Sequence, residues 1–218
     1  MNKKVFIFDL DGVIVDTAKY HFLAWKKMAD SLGIPFTHED NELLKGVSRV
    51  HSLEIILDLG NVSLSQIEKE KCLLQKNKDY LAYIEKMNES EILPGVIRVL
   101  DFLKEQGQKI VLGSASKNAK PILEKAKVIH YFDALVDGND VTNAKPDPEV
   151  FLQGALKVKM PNEACVVFED SLAGIQAANA AHMVSIGIGS HHVLHEADFC
   201  FNDFTTISNS FLLDIINN

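Results

Sequence analysis

The sequence predicts an α/β protein, a doubly wound, Rossmann-like parallel sheet interrupted after its first strand by an all-helical insertion. Three observations carry this. Four short apolar runs, Val5–Phe8, Lys109–Gly113, 164–168 and Val184–Ile188, have the unbroken hydrophobicity of strands covered on both faces. Helical patterns fill the gaps between the later runs, so strand and helix alternate as parallel crossovers require. The interval from about 16 to 90 breaks the rhythm, with helical patterns and no strand candidate.

The elements follow in order. The first run ends at Asp9-Leu10-Asp11-Gly12. In the insertion, Tyr20, Ala24, Lys27 and Met28 share one helical side and Phe22, Trp25, Ala29 and Leu32 another; 53–57 and 67–84 continue as helix. The predicted units are a core of 1–15 with 91–218 and a helical cap of 16–90. A helix over 94–105 carries Val96, Val99, Leu100 and Leu103, with Gly107 as its stop. After the 109–113 run, a helix over 118–127 carries Ile122, Leu123 and Ala126. A weaker strand is predicted over 134–137. Asp147-Pro148-Glu149 reads as a helix start, Asp as N-cap and Pro in the first turn. The small apolar segment 173–182 suits a helix packed closely on the sheet, and 198–201 is a last strand candidate.

Composition bounds the chemistry. The chain has 218 residues, 47% hydrophobic and 24% charged, which is globular rather than disordered. A net charge of −8 argues against a nucleic-acid partner. No apolar stretch approaches the ~20 residues of a membrane span. Met1-Asn2-Lys3-Lys4 leads into a strand rather than a signal-peptide core, and Cys72, Cys165 and Cys200 form neither a disulfide framework nor a zinc motif. A cytoplasmic monomer is expected.

The strand ends carry the chemistry. Alternate residues of an extended segment point the same way, so Asp9 and Asp11 can converge on one point while Gly12 turns the chain away. Two converging carboxylates repel unless a proton or cation shares the site. The other strand ends carry Ser114 and Glu169-Asp170, with Lys145-Pro146 between them in sequence. A parallel sheet brings these ends to one edge. Phosphoryl transfer wants such a set: an Asp nucleophile, hard oxygens for Mg²⁺ from Asp9, Asp170 and Glu169, Lys145 to offset phosphate charge and Ser114 to donate to it. Singly, Ser114 reads as well as a helix cap, Lys145 as a solvated loop residue and Glu169-Asp170 as a helix-starting acidic pair.

In this order, Asp9-x-Asp11, Ser114, Lys145 and Glu169-Asp170 resemble the four motifs of the haloacid dehalogenase superfamily, and the insertion is similar to its C1-type cap. The resemblance implies that Asp9 becomes an aspartyl phosphate. It also implies that Asp11 is the general acid/base and reaches Mg²⁺ through its backbone carbonyl. Residues 17–26, 44–49, 52, 76–77 and 114–118 further resemble the branch that interconverts β-D-glucose 1-phosphate and β-D-glucose 6-phosphate through β-glucose 1,6-bisphosphate. That implies substrate contacts from Thr17, His21, Trp25, Lys45, Gly46, Val47, Ser48, Arg49, Ser52, Lys76, Ala115, Ser116, Lys117 and Asn118. A second phosphate needs its own cationic site, and the planar fork of Arg49 suits it. His21 is placed to bridge Lys76 and Asp11. A sugar-phosphate phosphatase of the same superfamily shares the core motifs and is the alternative; a non-catalytic sensor would need no Asp9 nucleophile.

Overall fold

The computed structural model describes residues 3–218. At its centre are β1 (Val5–Phe8), β2 (Lys109–Gly113), β3 (Ala134–Val136), β4 (Cys165–Glu169), β5 (Val184–Ile188) and β6 (Phe199–Phe201). They form one wholly parallel sheet in the order β3-β2-β1-β4-β5-β6, which is the expected fold class. The central position of β1 sets the site. Its neighbours are β2 and β4, in register Phe8↔Leu112 and Phe8↔Phe168, so the chain leaves all three strands at one level.

The apolar runs are strands because both their faces are buried. Phe6, Phe8, Ile110, Leu112, Val166 and Phe168 join one core, with α5 (Val96–Glu105), α6 (Ala119–Lys125) and α9 (Asn209–Asn217) over it. Val5, Ile7, Val111, Cys165 and Val167 face a second core under α7 (Glu149–Lys157) and α8 (Leu172–Ala180). The alternation follows from the period of two along a strand.

Between β1 and α5 lie α1 (Ala18–Ser31), α2 (His38–Glu42), α3 (Arg49–Leu59) and α4 (Gln66–Ile84). They hold an apolar cluster of their own around Trp25, Met28, Phe36, Leu53 and Ile56. These helices meet the core across several polar contacts: Tyr20 Oη donates to Glu91 (2.6 Å), and Asn118 Nδ2 donates to Asn77 Oδ1 (3.0 Å).

Three details differ from the sequence reading. β4 runs one residue later than predicted, ending on Glu169. α7 starts at Glu149 with Pro148 at the cap position, and Asp147 Oδ1 accepts from the Glu149 N–H (2.9 Å). α2 and α9 were not predicted at all. α2 is wholly polar (HEDNE) and is held by a capping box between Thr37 and Asp40.

Candidate active site

Above the carboxyl edge of β1, β2 and β4, and beneath α1 to α4, is a cavity of about 580 Å³. That volume is in the usual range for small-molecule sites. Asp9, Asp11, Ser114, Lys145 and Asp170 line its floor at the sheet edge; Lys45, Gly46, Arg49 and Lys76 line it from the helical segment.

Lys145 is the centre of the floor. It is 4% exposed, not a solvated loop residue. Its Nζ donates to Asp9 Oδ1 at 2.6 Å and to Glu169 Oε1 at 2.5 Å. Paired carboxylates hold the buried ammonium charged, with a pKa above its ordinary value despite burial. Burial pushes Asp9 up to about 7, with Lys145 opposing and Glu169 and Asp11 adding repulsion. Burial, then Glu169 and Asp9, raise Asp170 well above the carboxylate range. Ser114 is buried, and its Oγ accepts from the Ser116 N–H (3.1 Å), which leaves its proton to donate.

Glu169 differs from the expected metal ligand. Oε1 is taken by Lys145, and Oε2 accepts from the Ser171 N–H (2.8 Å) and Oγ (3.0 Å). It lies fully buried behind Lys145, off the cavity wall. Among the described residues, no three acidic, His or Cys side chains are drawn together as a ligand shell. The remaining hard oxygens of Asp9 and Asp170 still suit Mg²⁺, which takes one or two carboxylates and keeps sites for water and phosphate. Gly12 leaves room for the Asp170 carboxylate, which a Cβ there would run into.

A second network surrounds Asp11. The Thr17 hydroxyl donates to Asp11 Oδ1, and Thr17 is fully buried. Thr17 therefore holds Asp11 from behind rather than lining the cavity, unlike the expected substrate contact. His21 Nδ1 lies 3.1 Å from Lys76 Nζ, and Nε2 lies 3.8 Å from Asp11 Oδ1. Burial, then Lys76 and Arg49, push the imidazole well below its ordinary pKa. With Nδ1 against Lys76, the other ring nitrogen, Nε2, faces Asp11. Lys76 is 2% exposed and lies 4.5 Å above the Trp25 ring and 4.8 Å from that of Tyr80. Burial, then Arg49, lower it to about 7. Burial also raises Asp11, against the Thr17 hydrogen bond and Lys76.

On the helical side, Ser48 caps α3, accepting from the His51 N–H (3.2 Å), and Ser52 Oγ donates to the Ser48 carbonyl (3.1 Å). Both line the cavity, but their hydroxyls serve the helix. Arg49 opens α3, half-buried, with no acidic partner among the described residues. Ala115, Ser116, Lys117 and Asn118 complete the rim, with Val47 and Trp25. Lys45 pairs with Glu42 (2.9 Å) and reaches Asp170 (3.8 Å). Sequence reasoning missed Asn41 and Tyr80, which also line the cavity. Tyr80 could have been found, since it follows Lys76 by one helical turn.

Comparison with known proteins agrees with this geometry. Residues 3–182 match the family model described as haloacid dehalogenase-like hydrolase. The chain is 43% identical over 197 residues to the β-phosphoglucomutase of Bacillus subtilis, covering 89% of this chain and 87% of that protein. It is 32% identical to the phosphorylated carbohydrates phosphatase of Thermotoga maritima, over 87% of this chain and 86% of the other. A crystal structure of β-phosphoglucomutase from Clostridium difficile superimposes with a TM-score of 0.94 at 39% identity, covering 99% of this chain and 97% of that one. This chain belongs to the haloacid dehalogenase-like hydrolase family.

Proposed function

We propose that the protein is a phosphoglucomutase that interconverts β-D-glucose 1-phosphate and β-D-glucose 6-phosphate. The observation that carries this reading is that two separate cationic groups line one cavity: Lys145, paired with Asp9 (2.6 Å), and Arg49, which has no acidic partner among the described residues. A phosphatase needs only the first. A mutase needs both, because its intermediate carries two phosphates.

In this reading residues 16–90 are the cap and 1–15 with 91–218 the core. Asp9 is the nucleophile. Its Oδ1 is tied to Lys145, and its second oxygen attacks phosphorus as the P–O bond to the sugar oxygen breaks. Lys145 and the Ser114 hydroxyl offset the charge on the transferring group. Asp11 gives its proton to the departing sugar oxygen, or takes one from the attacking hydroxyl in reverse. The Thr17 hydroxyl holds it in place. Mg²⁺, held by Asp9, Asp170 and the Asp11 backbone carbonyl, would supply electrostatic neutralisation of the phosphate oxygens when bound. Arg49, Lys117, Ser116 and Asn118 hold the other phosphate. In the first half-reaction the 6-hydroxyl of β-glucose 1-phosphate takes the phosphoryl group from phosphorylated Asp9 and gives its proton to Asp11; the resulting β-glucose 1,6-bisphosphate turns end for end, returns its 1-phosphate to Asp9 and leaves as glucose 6-phosphate. The cap keeps water from the aspartyl phosphate meanwhile.

Coupled turnover to glucose 6-phosphate tests the reading. It predicts product from β-glucose 1-phosphate with Mg²⁺, little from the α anomer, and none with Asp9→Asn. Equal turnover of both anomers, or full activity of Asp9→Asn, refutes it.

A further inference from the structure

Among the described residues, three buried side-chain polar atoms have no hydrogen-bond partner: His21 Nε2, Asn41 Oδ1 and the Tyr80 hydroxyl. All three residues line the same cavity. The Tyr80 hydroxyl lies beside that of Thr17; buried polar groups are ordinarily paired, so the others, left unpaired at one cavity, mark where a ligand brings the missing partners. His21 and Tyr80 already belong to the network around Asp11: their rings lie 4.2 Å apart, and Lys76 stands over Tyr80. Asn41 stands outside it.

Asn41 sits near the end of α2 and is only 7% exposed. Its side chain does nothing for the helix, whose cap is built by Thr37 and Asp40. The segment it leads into, Leu44 to Arg49, forms the cavity wall. An amide oxygen is an acceptor and nothing else. A phosphate dianion, which also only accepts, cannot satisfy it; a hydroxyl can.

We propose that Asn41 is a specificity-determining residue, whose amide hydrogen-bonds a ring hydroxyl of the sugar phosphate. The proposal rests on the sugar-phosphate reading of the cavity and adds a neutral, hydroxyl-reading contact to its charged ones.

The test is calorimetric binding of β-glucose 6-phosphate and its 2-, 3- and 4-deoxy analogues to the wild type and to Asn41→Leu, with thermal unfolding of both. Leucine has similar volume and removes an unpaired buried acceptor, so the variant should unfold no earlier than the wild type. Its affinity for the parent ligand should fall roughly 10- to 100-fold, the cost of one lost hydrogen bond in a buried site. One deoxy analogue should bind the two proteins equally well, identifying the hydroxyl. Equal affinity of both proteins for the parent ligand overturns the proposal. So does a uniform loss across all the analogues, which is the mark of a general packing defect. Binding needs no turnover: if the wild type binds but releases inorganic phosphate instead of isomerising, the mutase reading fails while the Asn41 comparison still stands or falls by itself.

Discussion

If the helical segment closes on the core during turnover, as the proposed mechanism requires, that closure should turn on Gly46. Its φ is +72°, and a Cβ there would lie 3.0 Å from Ser171 Cβ and closer still to Ser171 Oγ. Ser171 cannot yield freely. Its Oγ accepts from the Gly174 N–H (3.1 Å) and donates to Glu169 Oε2 (3.0 Å), the carboxylate that positions Lys145. Displacing it in Gly46→Ala gives up two hydrogen bonds, about 1–3 kcal/mol together. That cost falls on the closed state alone. The strain of a left-handed alanine, about 1–2 kcal/mol, falls on open and closed states alike. The closing equilibrium, and with it kcat/KM, should therefore drop roughly 5- to 160-fold, at about 1.4 kcal/mol per decade. Gly33→Ala is the matched control, because Gly33 also has φ +72° but nothing within 4 Å of the added carbon. It should cost stability and leave kcat/KM near the wild-type value. If the coupled assay finds Gly46→Ala no slower than Gly33→Ala, the Gly46–Ser171 contact does not govern closure.

Three further outcomes follow. Lys145→Met should destabilise the protein by about 3–5 kcal/mol in urea unfolding at pH 8, because Asp9 loses its buried cation; the deficit should shrink on acidification as Asp9 takes a proton, and a pH-independent deficit would contradict it. Lys76 titrates at about 7 in the fold against 10.5 unfolded. The unfolded chain binds more protons across that window, so this group makes stability rise with pH from about 7 to 10.5, with its penalty complete below 7. A bound phosphate dianion should raise Lys76, so substrate binding near pH 8 takes up a proton, read by calorimetry in two buffers of different ionisation enthalpy; uptake unchanged in Lys76→Met would refute the assignment. Arg49→Ala should cut mutase turnover roughly 30- to 1000-fold by removing about 2–4 kcal/mol of charge-assisted phosphate contact, while Asp9 still accepts phosphate from acetyl phosphate; intact turnover would make Arg49 an ordinary surface arginine.

The floor of the site was legible because its residues end apolar runs. A buried parallel strand announces itself by unbroken hydrophobicity, and the polar residue that stops it marks the sheet edge. Asp9, Ser114 and Asp170 could all be placed this way. Lys145 could be named but not located: its burial depends on Asp9 and Glu169, 136 and 24 residues away in sequence. The commitment of Glu169 to Lys145 and Ser171, and of Thr17 to Asp11, was hidden for the same reason, since residue type says nothing of which way a carboxylate or hydroxyl turns. α9 had a readable signal, Ser208 as N-cap before Phe211, Leu212, Ile215 and Ile216 at helical spacing. α2 had only its capping box, with no apolar stripe, and Asn41 went unseen with it.

The central claim is that phosphate on Asp9 is held for a sugar rather than for water. The most direct measurement is the fate of that phosphoryl group. The Mg²⁺-loaded enzyme is labelled from radiolabelled acetyl phosphate, mixed rapidly with β-glucose 1-phosphate, and quenched. The label should appear in β-glucose 1,6-bisphosphate and then in glucose 6-phosphate, with little as inorganic phosphate. Label released mainly as inorganic phosphate, at a rate the sugar phosphate does not alter, would contradict it.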